Sequence, residues 1–179
     1  KKLSCPNCSC LEHQNGEKTY DHSAVTPVIV APGQPHAISL RPEFITPQDG
    51  HTKQDCEIAA AKRWLEKNAA RYASLKATLL GDDLYAHQPF CRQTLLHDFH
   101  FIYTCKPDSH KTLYDWVNLL RAPDRRQFKA RVKNGARWEH YAYRYANQVP
   151  LAEGDDALKV NWCELTITDA AGAVLYRNA

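Results

Sequence analysis

The sequence lacks methionine, has only 7 glycines in 179 residues, and contains no long apolar run. No segment approaches the roughly 18 apolar residues of a membrane-spanning helix, and the N-terminus has no apolar run typical of a signal peptide. The P-loop and G-x-S-x-G motifs are absent, which argues against P-loop hydrolases and α/β-hydrolases. The lack of a membrane-spanning run and of a signal peptide favours a cytoplasmic protein with no membrane partner. Because the chain starts at Lys1, we interpret it as a portion of a longer protein.

The periodicity of apolar residues predicts an α/β region followed by an antiparallel β region. Strands are predicted over 24–31, 37–41, 75–80 and 99–105, and helices over 52–72, 89–97 and 113–120. Such alternation of strands and helices is typical of a parallel sheet with crossover helices. Beyond residue 120 the pattern alternates polar and apolar residues over 126–133, 137–145, 158–168 and 173–177. Asn134-Gly135 predicts a two-residue hairpin turn, and Ala171-Gly172 predicts another turn.

Cysteine and histidine crowd into a polar N-terminal segment, residues 1–22, which is predicted to be a loop or knuckle. Cys5-x-x-Cys8 has the opening spacing of a structural zinc site. Without a core of its own, this segment needs an external constraint such as a metal to be ordered. The candidates for the remaining ligands are Cys10, His13, His22 and Cys56. A set of reduced surface thiols is the alternative.

Two adjacent carboxylates, Asp82 and Asp83, directly follow the predicted 75–80 strand. The carboxyl ends of parallel strands are where ligands bind in α/β folds, and a carboxylate there can hold a divalent metal. Such metals activate water and stabilise the leaving oxygen of a phosphodiester. A strand-ending turn in which aspartate caps the next helix is the alternative. Lys106, Ser109 and His110 follow the 99–105 strand and are expected at the same edge. His110 is either catalytic or, as a histidine at a helix start, a cap or surface residue.

One segment of the β region is basic and rich in tyrosine and tryptophan. A ribbon of this kind is suited to the phosphate backbone of DNA, because cations release counterions and rings stack on bases. A solvated strand face over an aromatic core is the alternative. The candidate DNA-binding residues are Arg125, Arg126, Lys129, Arg131, Lys133, Arg137 and Arg144.

Several stretches, in this order and spacing, resemble one family of proteins. They are Cys5-Pro-Asn-Cys8 with Tyr20-Asp-His22, Pro42-Glu-Phe-Ile45, Gln48-Asp-Gly50 with Lys53-Gln-Asp-Cys-Glu57, Arg63-Trp64, Gly81-Asp-Asp-Leu-Tyr85, residues 101–110 and Asn161-Trp-Cys-Glu164. The chain is similar to bacterial insertion-sequence transposases of the DDE class. The resemblance implies a partial RNase H-like core over 23–120, without its first strand and last helix, interrupted by a β-rich insertion over 121–179.

The resemblance also implies a mechanism and a role for Asp82. In such enzymes three carboxylates share two magnesium ions, and DNA strands are cleaved and joined by phosphoryl transfer within a synaptic homo-oligomer on double-stranded DNA. The second of these carboxylates corresponds to Asp82 rather than Asp83. The first aspartate and the final glutamate would lie outside this chain, and Glu164 falls on a predicted strand of the insertion. The chain alone is therefore expected to be inactive. The alternative function is a zinc-stabilised DNA-binding or interaction module without catalysis.

Overall fold

The computed structural model describes residue 5 and residues 8–46, 53–121 and 124–179, which form mixed α/β structure. The chain divides into two compact units. The first comprises residues 1–78 and 93–100, and the second comprises residues 79–92 and 101–179. No helix within the described ranges is long and apolar enough to cross a membrane.

The first unit begins with six short strands. Strand β1 (Ser9–Glu12) pairs with β2 (Lys18–Asp21), so the segment predicted to be a loop contains an antiparallel hairpin. Strands β3 (Ala24–Val25) and β6 (Glu43–Phe44) form one pair, and β4 (Val28–Ile29) and β5 (Ile38–Ser39) form another. The strand predicted over 24–31 is therefore divided in two, and the strand predicted over 37–41 is shortened to β5. Pro27 separates β3 from β4 and Pro42 separates β5 from β6, and proline cannot donate a ladder hydrogen bond.

Helix α1 (Lys53–Tyr72) confirms the helix predicted over 52–72, of which residue 52 lies outside the described residues. Its buried positions recur at helical spacing and include Ala60, Trp64 and Leu65. The Trp64 indole donates to the Arg41 carbonyl oxygen over 2.8 Å, and Glu43 of β6 accepts from Arg63 and Lys67. These polar contacts fix the helix against β6.

Strand β7 (Thr78–Gly81) and β8 (His100–Tyr103) pair and are joined by α2 (Gln88–Leu96). A short 3-10 turn over Ala73–Leu75 ends at Lys76, whose φ is +46°, so β7 starts later than the prediction of 75–80. The Thr104 N–H donates to the Gly81 carbonyl oxygen over 3.0 Å. Since this bond joins the carboxyl ends of both strands, they run parallel, as predicted. The pair is two-stranded in the described residues, and an RNase H-like core stays a prediction.

The second unit contains a four-stranded antiparallel sheet in the order β12-β11-β10-β9. The strands are β9 (Arg126–Asn134), β10 (Arg137–Pro150), β11 (Lys159–Thr168) and β12 (Val174–Asn178), which confirms the predicted antiparallel region. Helix α3 (Lys111–Leu119) packs on β10. The buried core shared by α3 and the sheet includes Leu113, Val117, Ala146, Val149 and Trp162.

The turn between β9 and β10 lies one residue later than predicted. Asn134 pairs with Arg137, so the two turn residues are Gly135 and Ala136 rather than Asn134 and Gly135. Gly135 has a φ of +60°, whereas Ala136 does not have a positive φ. Glycine at the first central position is the requirement of a type II′ turn, while Asn-Gly would suit type I′. The shift by one residue decides which face of the sheet each side chain occupies.

Candidate functional site

Asp82 and Asp83 follow β7 but have different surroundings. Asp82 is exposed, and its Oδ1 accepts the Leu84 N–H over 3.0 Å, as in an Asx turn. Asp83 is partly buried. Its Oδ1 accepts the Lys106 N–H over 2.7 Å and its Oδ2 accepts the Ser109 hydroxyl over 2.5 Å. Asp83 therefore braces the loop that follows β8, while the Asp82 carboxylate faces solvent.

His110 is buried and lies next to Asp83. Its Nε2 is 3.2 Å from Asp83 Oδ1, without the alignment of a hydrogen bond, and its ring stacks on that of His87 at a centroid distance of 5.0 Å. Burial lowers the pKa of His110 more than the Asp83 carboxylate raises it. Burial raises the pKa of Asp83, but the hydrogen bonds from Ser109 and Lys106 lower it by more, so that the pKa lies below its ordinary value. At neutral pH the pair is a carboxylate and a neutral imidazole.

The order of these groups argues against hydrolase chemistry. In a Ser-His-Asp triad the imidazole stands between the hydroxyl and the carboxylate and takes the hydroxyl proton. Here the Ser109 hydroxyl donates directly to Asp83 instead of to His110. The expectation that Lys106, Ser109 and His110 share one edge with the carboxylates is met, and they contact Asp83.

Cys5, Cys8 and His22 converge in the first unit. The Sγ atoms of the two cysteines are 3.4 Å apart, and His22 Nε2 lies 3.2 Å from Cys5 Sγ and 3.4 Å from Cys8 Sγ. Ligands about 2.0 to 2.3 Å from one zinc ion are about this far apart in a tetrahedral site. The donor set and the spacing of these three side chains therefore fit a zinc ion.

None of the predicted candidates for a fourth zinc ligand joins these three side chains in the described residues. Within the described residues, the group that can share one ion consists of Cys5, Cys8 and His22 alone. His13 Nε2 is 3.0 Å from the Thr19 hydroxyl, and Cys10 lies on β1 opposite Tyr20. The Cys5 N–H donates to Cys8 Sγ, which lowers the pKa of that thiol, but burial and the neighbouring Cys5 thiol raise it above its ordinary value. Metal binding must then displace thiol protons.

The register of the four-stranded sheet sorts the predicted DNA-binding residues onto two faces. Lys133 lies opposite Trp138, Arg131 opposite His140, and Gln127 opposite Arg144. Because side chains alternate along a strand, Lys129, Arg131, Lys133 and Arg144 share one face, hereafter the basic face. Arg126 and Arg137 lie on the opposite face. Arg125 precedes β9.

The basic face is exposed over the β9–β10 hairpin. Lys129, Arg131 and Lys133 are exposed, and the Arg131 guanidinium lies 4.4 Å from the centroid of the Trp138 ring. Within the described ranges none of these three residues has an acidic partner. Unpaired cations beside an exposed indole can contact phosphate and stack on a base.

Arg144 has a further role, because it pairs with the buried Glu164 directly across β10 and β11. Its Nε and Nη2 are 2.8 and 2.5 Å from Glu164 Oε1. Arg177 of β12 approaches the other oxygen, with Nε at 2.9 Å and Nη2 at 2.8 Å from Oε2. Sequence reasoning missed Arg177. Its signal was the predicted Ala171-Gly172 turn, which returns β12 alongside β11.

This Arg144–Glu164–Arg177 cluster predicts a large loss of stability when its positive charges are removed. We expect the free energy of unfolding of the double variant Arg144→Met/Arg177→Met to fall by about 3 to 5 kcal/mol, because the variant leaves a buried carboxylate without a counter-charge. Adding Glu164→Gln should restore much of that loss, since the amide carries no charge. Urea unfolding of the three proteins measures both steps, and a triple variant no more stable than the double would contradict this account.

Comparison with known proteins gives no matching family model and no curated protein of similar sequence.

Proposed function

We propose that this chain is the interior portion of a DDE transposase, and that Asp82 is one of the three carboxylates of its metal site. The observation that carries the proposal is that the two aspartates after β7 differ in their hydrogen-bond partners and exposure. Asp83 is occupied by two donors from the loop after β8, whereas Asp82 presents its carboxylate to solvent at the carboxyl end of a parallel strand. That position is where α/β folds bind ligands.

One carboxylate does not make a magnesium site. Magnesium demands octahedral oxygen coordination, with waters completing what one or two carboxylates begin. In the described residues, Asp82 does not belong to any group of three or more ligands that could share an ion. We therefore propose that the other two carboxylates lie in segments outside this chain, so that the chain alone is inactive. The two magnesium ions would activate water and stabilise the leaving oxygen of the phosphodiester in the assembled parent.

We further propose that duplex DNA binds to the basic face of the β9–β10 hairpin. We expect Arg131→Ala/Lys133→Ala to weaken duplex binding similarly for all sequences and to flatten the plot of log affinity against log salt by about two units, one per lost phosphate contact. Fluorescence anisotropy at several salt concentrations measures the slope.

A matched control removes the same number of charges from the other face. Arg126→Ala/Arg137→Ala should leave the salt slope within about half a unit of the parent value. An equal reduction of the slope in the two double variants would mean that DNA does not distinguish the faces. An unchanged slope in both would mean that the hairpin cations are only solvated.

The assignment of Asp82 is tested by strand cleavage in the parent protein, with Asp82→Asn compared with Asp83→Asn. The parent is also expected to assemble as a homo-oligomer on its DNA ends. Analytical ultracentrifugation with and without DNA reports this state.

A zinc-stabilised DNA-binding or interaction module without catalysis is the second candidate function. The convergence of Cys5, Cys8 and His22 favours it, since it requires no carboxylate site. The two functions differ in one outcome. A parent protein that binds zinc and DNA but cleaves no strand, with or without Asp82, supports the module.

A further inference from the structure

A cavity of about 400 Å³ opens on the basic face of the sheet, between the strands and α3. Arg144, Trp162 and Arg177 line it from three neighbouring strands, and Lys111, Tyr114 and Asp115 line it from α3. The register places the three strand residues on one face, because Ala146 pairs with Trp162, Arg144 with Glu164, and Thr166 with Arg177. Ligand pockets in proteins span about 300 to 1,000 Å³, so this cavity has room for a small molecule.

The two arginines of the cavity are held in place before any ligand arrives. Glu164, which is 3% exposed, engages the Nε and Nη2 of both arginines. Within the described ranges, the Nη1 atom of each arginine has no hydrogen-bonding or ionic partner. Guanidinium groups fixed in this way lose little conformational freedom on binding an anion.

Charge in the cavity favours an anion. Three lining side chains are cationic and one, Asp115, is acidic. Even with Glu164 beneath the arginines, the net charge of the group remains positive. Lys111 is exposed at the start of α3 and has no acidic partner among the described residues, so it can reach the same anion.

The remaining lining suits an aromatic ring. Tyr114 and Trp162 meet edge to face with ring centroids 6.0 Å apart, and the buried Trp162 Nε1 has no well-aligned hydrogen-bond partner in the described part of the chain. Burial of Tyr114 raises its pKa to about 12, so the hydroxyl stays neutral and donates to the Cys105 carbonyl oxygen.

We infer that the cavity binds a nucleotide, with its phosphate against Arg144, Arg177 and Lys111 and its base or sugar against Tyr114 and Trp162. The volume exceeds what inorganic phosphate needs. Lys129, Arg131 and Lys133 continue the positive charge along the same face of the sheet, as a polynucleotide chain requires. The nucleotide is either free or the terminal residue of a DNA strand. The strand-terminus version rests on the proposed function, whereas the free-nucleotide version does not.

Calorimetric titration of the whole chain tests the inference with thymidine 5′-monophosphate, thymidine and inorganic phosphate. We expect the nucleotide to bind at least about tenfold more tightly than either of its parts, because only it occupies both regions of the cavity. Lys111→Gln and Arg177→Gln should each weaken nucleotide binding about tenfold, the effect of losing one charge-assisted hydrogen bond. Arg126→Gln removes the same charge from the opposite face and should change nothing.

Lys111→Gln still tests the inference if Arg177→Gln unfolds, since Lys111 forms no ion pair in the described part of the chain. Equal binding of nucleotide and nucleoside, or equal effects of Lys111→Gln and Arg126→Gln, would overturn the inference. Binding of a short oligothymidylate with a 5′ phosphate, compared with that of its 5′-hydroxyl counterpart, distinguishes a DNA strand terminus from a free nucleotide as the ligand. Tighter binding of the phosphorylated strand assigns a strand terminus, and equal binding assigns a free nucleotide. Cleavage by Asp82 variants is independent of this titration, so either proposal can fail alone.

Discussion

Replacing Asp82 with asparagine in the parent protein is expected to abolish DNA strand cleavage while leaving the fold intact. A metal ion contributes several kcal/mol of charge stabilisation to phosphoryl transfer, and loss of about 4 kcal/mol slows a reaction about a thousandfold. The asparagine carbonyl can still accept the Leu84 N–H, so the turn after β7 persists. Stability should change by less than about 0.5 kcal/mol. Cleavage of a labelled end-sequence duplex with magnesium measures the first effect, and thermal unfolding measures the second.

Asp83→Asn is the matched control and should behave in the opposite way. It keeps the shape but loses the charge that accepts from Lys106 and Ser109, which costs about 2 kcal/mol. Because the folded-state pKa of Asp83 is lowered, its contribution is present above the ordinary aspartate pKa and disappears as pH falls through the folded pKa. The variant should therefore lose less stability than the parent on acidification. Full cleavage by Asp82→Asn, or its loss only in Asp83→Asn, would remove Asp82 from the metal site.

Zinc should be present at about one equivalent in protein purified without chelator, and its removal should disorder the N-terminal hairpin. The β1–β2 pair has short strands, and an isolated hairpin is marginal in water. Structural zinc supplies about 10 to 16 kcal/mol of apparent binding free energy in small zinc domains. Zinc content by mass spectrometry, and amide signals of residues 9–21 by NMR before and after chelation, measure both effects.

Variants of individual cysteines identify the ligands. Cys8→Ser should weaken zinc binding more than about a hundredfold, since even partners outside the ligand shell are worth 10- to 100-fold. Cys163→Ser on β11 removes an exposed thiol far along the chain and should retain full zinc. Loss of zinc in Cys10→Ser, His13→Gln or Cys56→Ser would identify the fourth ligand. Less than about half an equivalent of zinc in the unaltered protein would rule out the site.

Local patterns predicted most of the regular structure. The apolar spacing around Ala60 and Trp64 predicted α1, and alternation predicted β9 to β12, because both signals arise from neighbouring residues on one face. The errors came from single residues that act on the backbone. Pro27 divides the strand predicted over 24–31, and Gly135 takes the first turn position, which moves the hairpin loop by one residue.

The candidate site was less accessible to sequence reasoning, since its geometry depends on contacts between distant residues. Asp82 and Asp83 are identical in chemistry and adjacent, and the loop at Lys106 to Ser109 decides which one is occupied. Spacing identified Cys5 and Cys8 as partners, and His22 joins them because β1 and β2 form a hairpin. The pairing of Glu164 with Arg177 likewise needs the register of β11 and β12.

The Asp83 brace also couples the movements of two loops. One carboxylate holds the backbone amide of Lys106 and the hydroxyl of Ser109, so the loop after β8 cannot separate from the loop after β7 without breaking both bonds. Exchange of the Lys106 amide proton with solvent therefore requires the same local opening that frees the Asp82 loop. The mobility of the exposed Asp82 carboxylate is therefore controlled by the partly buried Asp83. The rate of exchange of the Lys106 amide reports how often the loop after β7 is released.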